Sequence, residues 1–181
     1  MFVAKMRNLL AAALLGAAVF TLLEAPAFAA PVIVGFKGVD FVDQGGGQVQ
    51  FPTGRAYPAF SHWDYAGHWL EWEIDVPEDG FYLTFAMYAT SRDLVSRRME
   101  IDGEPVLDLI FFTTGDFRNY QFSYFDPVEL KAGKHRVRMT VTAPEGQHAG
   151  INLAWFAFTS IDMFEFDDEE IIRRIEAHLG F

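Results

Sequence analysis

The segment GHWLEWEIDVPEDGFYLTFAMYA, residues 67–89, decides the fold class of this protein. Residues 69–76 alternate, so that apolar residues such as Leu70 and Trp72 share one face of a strand while acidic residues occupy the other. Residues 77–80, PEDG, are typical of a turn. A second alternating run then places four apolar residues on one face: Phe81, Leu83, Phe85 and Met87. The segment predicts a hairpin in an antiparallel sheet over a core, and therefore an all-β protein.

Further alternating segments, separated by turns with Gly, Pro and Asp, bring the count to roughly eight or more strands. We therefore predict an antiparallel β-sandwich of the jelly-roll type. Short strands are also predicted at residues 39–42 and 49–51. The residues expected in one sandwich core are Leu70, Trp72, Ile74, Phe81, Leu83, Phe85, Val137, Met139 and Trp155.

The C-terminal segment, residues 161–181, departs from the strand pattern. Asp167 and Glu170 form a capping-box-like pair at the start of a helical stretch. An apolar stripe follows at helical spacing: Ile171, Ile172, Ile175 and Leu179. We predict an acidic tail with a short α-helix that packs on the sandwich; a helix that docks a partner is the alternative.

The N-terminus has the features of a signal peptide. Lys5 and Arg7 precede an uncharged apolar run at residues 9–23, and Ala27-Phe28-Ala29 offers the small residues that signal peptidase requires. The run is shorter than the roughly 20 residues of a spanning helix. We expect cleavage of residues 1–29, a β-sandwich domain at residues 30–160, and a secreted or periplasmic protein with no membrane insertion after signal removal.

Composition narrows the choice of ligand. The formal net charge is −11, which opposes binding to nucleic acid, and there is no cysteine, which excludes disulfides. Aromatic residues make up 16% of the chain, and some of them are available as exposed stacking surfaces even if most form the core. A neutral ligand such as a sugar is compatible with this surface.

Two groups of residues have the chemical types found in active sites. Ser61, His62 and Asp64 are the components of a catalytic triad, but near neighbours on one loop rarely converge as a triad requires. Glu71 and Glu73 are paired carboxylates, but they fall on the polar face of a strand, where a solvated sheet surface explains them. We therefore predict that the protein is not an enzyme.

Residues 67–89 also resemble the strand pair of carbohydrate-binding modules of the family 6 and family 35 type. Four later segments resemble motifs of these modules in the same order: residues 98–103, 114–120, 128–135 and 150–155. The resemblance covers roughly residues 60–158 and implies a galactose-binding-like β-sandwich that binds glycan without cleaving it. Function remains a separate question, since one fold serves many functions.

The resemblance also implies a binding site. Phe117 stands where the family has an aromatic residue that stacks on a sugar ring, and Asn152 stands where an amide binds sugar hydroxyls. We predict that Trp63 or Tyr65 closes the other side of the site. The loops at residues 61–67, 113–117 and 145–152 are expected to meet at one edge of the sandwich.

Two departures from the family pattern concern metal. Ala154 replaces an aspartate that helps to hold a structural calcium in the family, and residues 33–36 lack the usual N-terminal acidic pair. We expect no metal site and no cofactor. The leading hypothesis is secreted, non-catalytic glycan or oligosaccharide binding, and the alternative is an extracellular or periplasmic protein-interaction or structural domain with a protein partner.

Overall fold

The structure is a computed structural model that describes residues 30–161, 163 and 165–181. The predicted signal peptide, residues 1–29, lies outside the described residues. The strands are β1 Ile33–Lys37, β2 Asp43–Gly45, β3 Trp69–Val76, β4 Gly80–Ala89, β5 Leu94–Ile101, β6 Glu104–Phe112, β7 Gln121–Leu130, β8 Gly133–Val141 and β9 Asn152–Thr159. A 3-10 turn spans Gly38–Asp40, and helix α1 spans Asp168–Leu179. Within the described part of the chain, no helix has the length and apolarity needed to cross a membrane.

The strands form two antiparallel sheets. The four-stranded sheet has the order β1-β9-β4-β7, and the five-stranded sheet has the order β2-β3-β8-β5-β6. Two such sheets, each with an apolar inner face, bury those faces by packing together. The prediction of an antiparallel β-sandwich with a short C-terminal helix is confirmed.

The predicted hairpin between β3 and β4 is wrong. Strand β3 pairs with β8 and β2 in the five-stranded sheet, whereas β4 pairs with β7 and β9 in the four-stranded sheet. The turn at residues 77–80 therefore carries the chain from one sheet to the other. Alternation shows that each strand has an apolar face, but it does not show which strand is its neighbour.

The main core lies between the sheets. From the five-stranded sheet, Leu70, Trp72 and Ile74 point inwards, as predicted, and so do Val137 and Met139. The ring of Trp72 stacks on Phe36 of the opposite sheet at a centroid distance of 4.5 Å, and its indole N–H donates to the carbonyl of Gly38 at 3.1 Å. The Trp72 side chain is thus buried with its single donor satisfied.

The predicted core face of β4 points away from this core. The residues of β4 in the main core are Tyr82, Ala86 and Tyr88. Phe85 and Trp155 are fully buried, but they belong to a second cluster that includes Ile171 and Ile175 of helix α1. Leu83 is partly buried against that cluster, and Phe81 is 74% exposed. The expectation of one common core is therefore wrong, because β4 is covered by a sheet on one face and by a helix on the other.

Helix α1 begins as the sequence predicts. The Asp167 side chain accepts a hydrogen bond from the backbone N–H of Glu170 at 2.9 Å, which satisfies one of the free donors of the first turn. Gly180 ends the helix in the left-handed conformation, with φ 74°. Ile171 and Ile175 of the apolar stripe are buried, and Ile172 and Leu179 are partly buried.

Two predicted short strands are not found. Residues 39–42 fall partly in the 3-10 turn Gly38–Asp40. Residues 49–51 contribute only an isolated bridge, in which Gln50 pairs with Ser61. Short apolar stretches of this length carry too few residues for their periodicity to be diagnostic.

Candidate functional site

A fully buried arginine joins two of the three loops that were predicted to meet. Arg97, on β5, donates through Nη2 to the carbonyl of Trp63 at 2.8 Å and to the carbonyl of Ala149 at 2.7 Å. Its guanidinium also lies over the Trp63 ring at 4.2 Å. A rigid guanidinium with several donors is well suited to this task. The loop at residues 61–67 and the loop at residues 145–152 are therefore held side by side.

Buried Thr90 joins the third loop to this pair. Its hydroxyl donates to the carbonyl of Gly150 at 2.7 Å, and its backbone N–H donates to the hydroxyl of Thr114 at 2.9 Å. The backbone N–H of Thr114 in turn donates to the carbonyl of Thr90 at 2.9 Å. As predicted, the three loops meet at one edge of the sandwich.

These loops and two flanking segments line an open cavity of about 200 Å³. We call it the loop-edge cavity. It is smaller than the ~300 Å³ typical of sites for drug-sized ligands, so it suits a small group such as one sugar ring. Its lining residues are Arg55, Ser61, His62, Asp64, Arg92, Phe117, Gly150, Ile151 and Asn152.

Phe117 and Asn152 lie together in this cavity. The Asn152 side-chain amide donates to the carbonyl of Phe117 at 2.6 Å, and Nη1 of Arg55 donates to the same carbonyl at 3.0 Å. The half-buried Phe117 ring packs beside Gly150: a Cβ added at Gly150 would lie 3.6 Å from the ring. Two donors from different parts of the chain thus fix the backbone of the residue predicted to stack on a sugar.

The other two predicted site residues differ in exposure: Trp63 is buried and Tyr65 is exposed. Trp63 is fully buried in the main core, and its indole N–H donates to the carbonyl of His68 at 3.1 Å. Its assignment to the site is therefore wrong, because a side chain with no accessible surface cannot stack on a ligand. Tyr65 is 50% exposed and packs on His148 at a centroid distance of 4.7 Å, next to the cavity but outside its lining residues.

The charges around the cavity differ from those of the protein as a whole. Although the chain is acidic, Arg55 and Arg92 line the cavity, with Asp64 as the acidic lining residue. Beneath them, burial lowers the pKa of Arg97 to about 9, which still leaves it charged at neutral pH. Directional donors and one carboxylate therefore surround a single aromatic ring.

Three buried polar atoms close to the cavity have no hydrogen-bond partner within the described part of the chain: Asp64 Oδ1, His68 Nε2 and Arg97 Nε. The other carboxylate oxygen of Asp64 contacts His148 at 3.4 Å, and the backbone carbonyl of Asp64 accepts from the N–H of Ala149 at 2.8 Å. Burial lowers the pKa of His68, so this imidazole is neutral at neutral pH. The layer beneath the cavity retains hydrogen-bonding capacity that the protein does not use.

Sequence reasoning missed the two arginines of the cavity. Arg55 lies in an irregular segment, and Arg92 lies in the loop between β4 and β5. Neither belongs to a recognisable motif, so only the packing of the chain could reveal them. The sequence already showed a hydroxyl, an imidazole and a carboxylate at residues 61–64. Ser61, His62 and Asp64 all line the cavity, so their polar groups can be explained without catalysis.

The two catalytic arrangements considered from the sequence do not form. His62 Nδ1 lies 3.0 Å from the Ser61 hydroxyl, but Asp64 faces His148, at 3.4 Å, rather than His62. Glu71 and Glu73 are instead paired with arginines on the outer face of the five-stranded sheet. Arg136 bonds both carboxylates, at 2.7 and 2.8 Å. The second carboxylate oxygen of Glu71 bonds Arg138 at 2.7 Å.

Ala154, at the position where the resemblance places a calcium ligand, is buried in the apolar cluster under helix α1. Among the described residues, no group of three or more His, Asp or Glu side chains could hold a metal ion.

Several of the solved structures similar to this chain are carbohydrate-binding modules. A native family 35 module from Clostridium thermocellum has 21% identity and a TM-score of 0.59, and the match covers 74% of this chain and 100% of that one. The module CBM6cm-2 from Cellvibrio mixtus lichenase 5A, solved with cellotriose, has 21% identity and a TM-score of 0.57, with 71% and 97% covered. The C-terminal family 6 module of a Zobellia galactanivorans laminarinase, LamC, has 19% identity and a TM-score of 0.59, with 71% and 100% covered. A search of curated proteins finds no match.

The fold therefore defines a β-sandwich of the kind used by carbohydrate-binding modules. The sequence profile of carbohydrate binding module family 6 matches residues 59–160, which is more than half of the chain. The protein belongs to this family.

Proposed function

We propose that this protein is a secreted or periplasmic module that binds a glycan in the loop-edge cavity and does not cleave it. The observation that carries this proposal is the position of Phe117: its half-buried ring lies in a cavity whose other lining groups are mainly polar. That combination, in a chain of a carbohydrate-binding family, is the arrangement that a sugar ring requires.

The chemistry of a sugar matches these groups. The C–H faces of a sugar ring are apolar and pack on an aromatic face, while its hydroxyls both donate and accept hydrogen bonds. In the cavity, Arg55 and Arg92 supply donors, and Asp64 supplies an acceptor. Asn152 is buried, with 3% of its surface exposed, and it lines the cavity with its amide N–H donated to the carbonyl of Phe117. Tyr65, exposed beside the cavity, extends the surface available to a longer oligosaccharide.

The side chains of the loop-edge cavity, as far as the described residues show them, are arranged for binding rather than for activating water or a nucleophile. The Ser61 hydroxyl contacts His62, but Asp64 faces His148, so Asp64 does not orient the imidazole at Ser61 as a catalytic triad requires. The carboxylates of Glu71 and Glu73 are neutralised by arginines on a sheet face. This arrangement favours binding without hydrolysis, and the cellotriose complex of the similar Cellvibrio module supports an oligosaccharide as the ligand class.

The test starts with a glycan array probed with the protein, followed by calorimetric titration of the best ligand. We expect modest affinity, because a small open site recovers little more than the costs of ordering and desolvation. Phe117→Ala and Arg92→Ala should each weaken binding by about tenfold or more. Tyr124→Ala, which removes an exposed aromatic ring on β7 outside the cavity, is the matched control and should bind as wild type does.

Equal binding by wild type and both cavity variants, with folding intact, would remove this cavity from the site. The absence of any ligand on the array would favour the alternative, a protein-interaction domain. That alternative has one structural observation in its favour: β6 and β7 expose Ile110, Phe112 and Tyr124 at the open edges of the two sheets.

A further inference from the structure

We propose that helix α1 is a positioning element for the loop-edge cavity, because its residue Glu176 holds Tyr57 and thereby places Arg55 against Phe117. This inference rests on the proposed function, since it concerns the affinity of the same cavity. It adds a role for a helix and for a residue, Tyr57, that do not line the cavity.

The first link joins the helix to the sandwich. Glu176 Oε1 accepts a hydrogen bond from the Tyr57 hydroxyl at 2.6 Å and another from the indole N–H of Trp155 at 3.2 Å. Hydrogen bonds to an ionised acceptor are the stronger ones. Burial, followed by this bond and the charge of Glu176, raises the pKa of Tyr57, so its hydroxyl remains a donor at all physiological pH values.

The second link fixes the Tyr57 ring. It packs against Tyr120 at a centroid distance of 4.9 Å and against Phe181 at 5.5 Å. Phe181 is held in turn by Lys37, whose ammonium lies 4.8 Å from the ring centroid and donates to the carbonyl of Gly180 at 3.0 Å. The end of the helix and the loop that carries Phe117 therefore contact Tyr57 from different directions.

The third link reaches the cavity. Arg55 precedes Tyr57 by only two residues, a separation that spans at most about 7 Å of extended chain. Its Nη1 donates to the carbonyl of Phe117 at 3.0 Å, and its side chain lines the cavity. A fixed Tyr57 consequently restricts where Arg55 can lie, and Arg55 helps to fix the residue proposed to stack on the sugar.

This arrangement lies largely outside the part of the chain that matches the family profile. The profile matches residues 59–160, whereas Arg55, Tyr57 and helix α1 all fall beyond those limits. The segments before and after the matched domain meet at Glu176 and Tyr57, next to the cavity wall. These flanking segments therefore act together to hold the part of the cavity wall that Arg55 forms.

The experiment removes the hydrogen bond between Tyr57 and Glu176 by changing either partner. Tyr57→Phe removes the hydroxyl but keeps the ring, and Glu176→Ala removes the acceptor. Each should weaken binding of the best array ligand by about three- to tenfold, the range expected for one hydrogen bond. The double variant should bind no more weakly than Glu176→Ala, because Glu176→Ala already removes the bond to Tyr57. Glu176→Gln, which keeps an acceptor oxygen, should stay within about twofold of wild type.

The control and a second readout separate this inference from the proposed function. Glu169→Ala removes an exposed carboxylate from the first turn of the same helix and should leave affinity unchanged. Trypsin cleavage after Arg55, followed by mass spectrometry, needs no ligand and should be faster in Tyr57→Phe and Glu176→Ala than in Glu169→Ala.

Unchanged cleavage after Arg55 in Tyr57→Phe and Glu176→Ala would overturn the inference. Faster cleavage with unchanged affinity would overturn it as well, because the helix would then hold the segment without serving the cavity. If no glycan binds even the wild-type protein, the proposed function fails, and cleavage alone decides whether helix α1 positions Arg55.

Discussion

Phe81 and Trp72 were both predicted to be core residues from their places in alternating runs, yet they differ in burial. Trp72 is fully buried between the sheets, whereas Phe81 lies on the outer face of β4 and is 74% exposed. An aromatic residue in an alternating run is therefore not by itself a core residue. Its burial depends on what covers that face of the strand.

This contrast yields a stability prediction. Trp72→Ala should lower the free energy of unfolding by about 3–5 kcal/mol, as expected for deletion of a large buried aromatic side chain. Phe81→Ala should change it by less than about 0.5 kcal/mol, since an exposed side chain loses few contacts. Urea denaturation monitored by circular dichroism measures both. A large effect of Phe81→Ala would mean that the outer face of β4 is covered in solution.

A second residue-scale prediction concerns pH. Burial lowers the pKa of His68 in the folded protein below about 6.5, its ordinary value. The unfolded state therefore binds more protons as pH falls below about 6.5, and stability decreases in that range until the folded-state pKa is passed. The midpoint temperature of unfolding should fall between pH 6.5 and pH 5, and less so in His68→Gln.

The pH dependence of stability needs a second variant for comparison, because His135 changes it in the opposite direction to His68. Its pKa is raised in the folded protein, since hydrogen bonds to Asp102 and to the carbonyl of Lys131 outweigh its partial burial. His135→Gln removes this opposing contribution, so the midpoint temperature should fall more steeply with acidification in His135→Gln than in the wild type. An identical slope in His68→Gln and wild type would exclude His68 as the buried titrating group.

At the scale of elements, β4 explains why the hairpin prediction was wrong. Its sequence, GFYLTFAMYA, is apolar at nearly every position rather than at alternate ones. A strand that is apolar at nearly every position is buried on both faces. One face contributes Tyr82, Ala86 and Tyr88 to the main core, and the other packs under helix α1. The continuous apolar run was visible in the sequence, but the sequence did not show that helix α1 buries the second face of β4.

The helix itself supports a prediction about its first turn. Asp167→Ala removes the acceptor that satisfies the N–H of Glu170, and it should cost about 1 kcal/mol of stability. Glu165→Ala, an exposed position just before the helix, is the control and should have little effect. Chemical denaturation compares the two variants. Equal stability of Asp167→Ala and the wild type would show that the helix end is not coupled to global unfolding.

At the scale of the whole molecule, we expect calcium to leave stability unchanged. A calcium ion requires about six to eight oxygen ligands. Ala154 is a buried apolar residue where the family has an aspartate, and β1 carries no acidic residue. Differential scanning calorimetry with millimolar calcium and with a chelator should give the same midpoint. A rise with calcium that the chelator reverses would contradict this prediction.

A further whole-molecule prediction concerns processing. The positively charged start, the apolar run and Ala27-Phe28-Ala29 predict removal of residues 1–29, so that the mature protein begins at Ala30. Mass spectrometry of the protein recovered from the periplasm or the medium of a bacterial culture measures its N-terminus. Recovery of the full 181-residue chain from the exported fraction would contradict it.

Much of this molecule follows from its sequence. Alternating runs located β3 and β8, and an apolar run located β4. The cap at Asp167 and the isoleucine stripe located helix α1. Ordered motifs identified the family and predicted that Phe117 and Asn152 lie close together, and both line the loop-edge cavity. The strands and the helix start could be located because strand alternation and helix capping are determined by residues close in the chain.

Only the tertiary structure decided which sheet each strand joins, that Trp63 lies in the core, and that Arg55 and Arg92 line the cavity. Each of these depends on residues that are distant in the chain. Arg55 reaches Phe117 because the tertiary fold brings the irregular segment before β3 next to the loop between β6 and β7. Sequence periodicity reports whether a face is buried, whereas the partner that buries it is settled only when the whole chain packs.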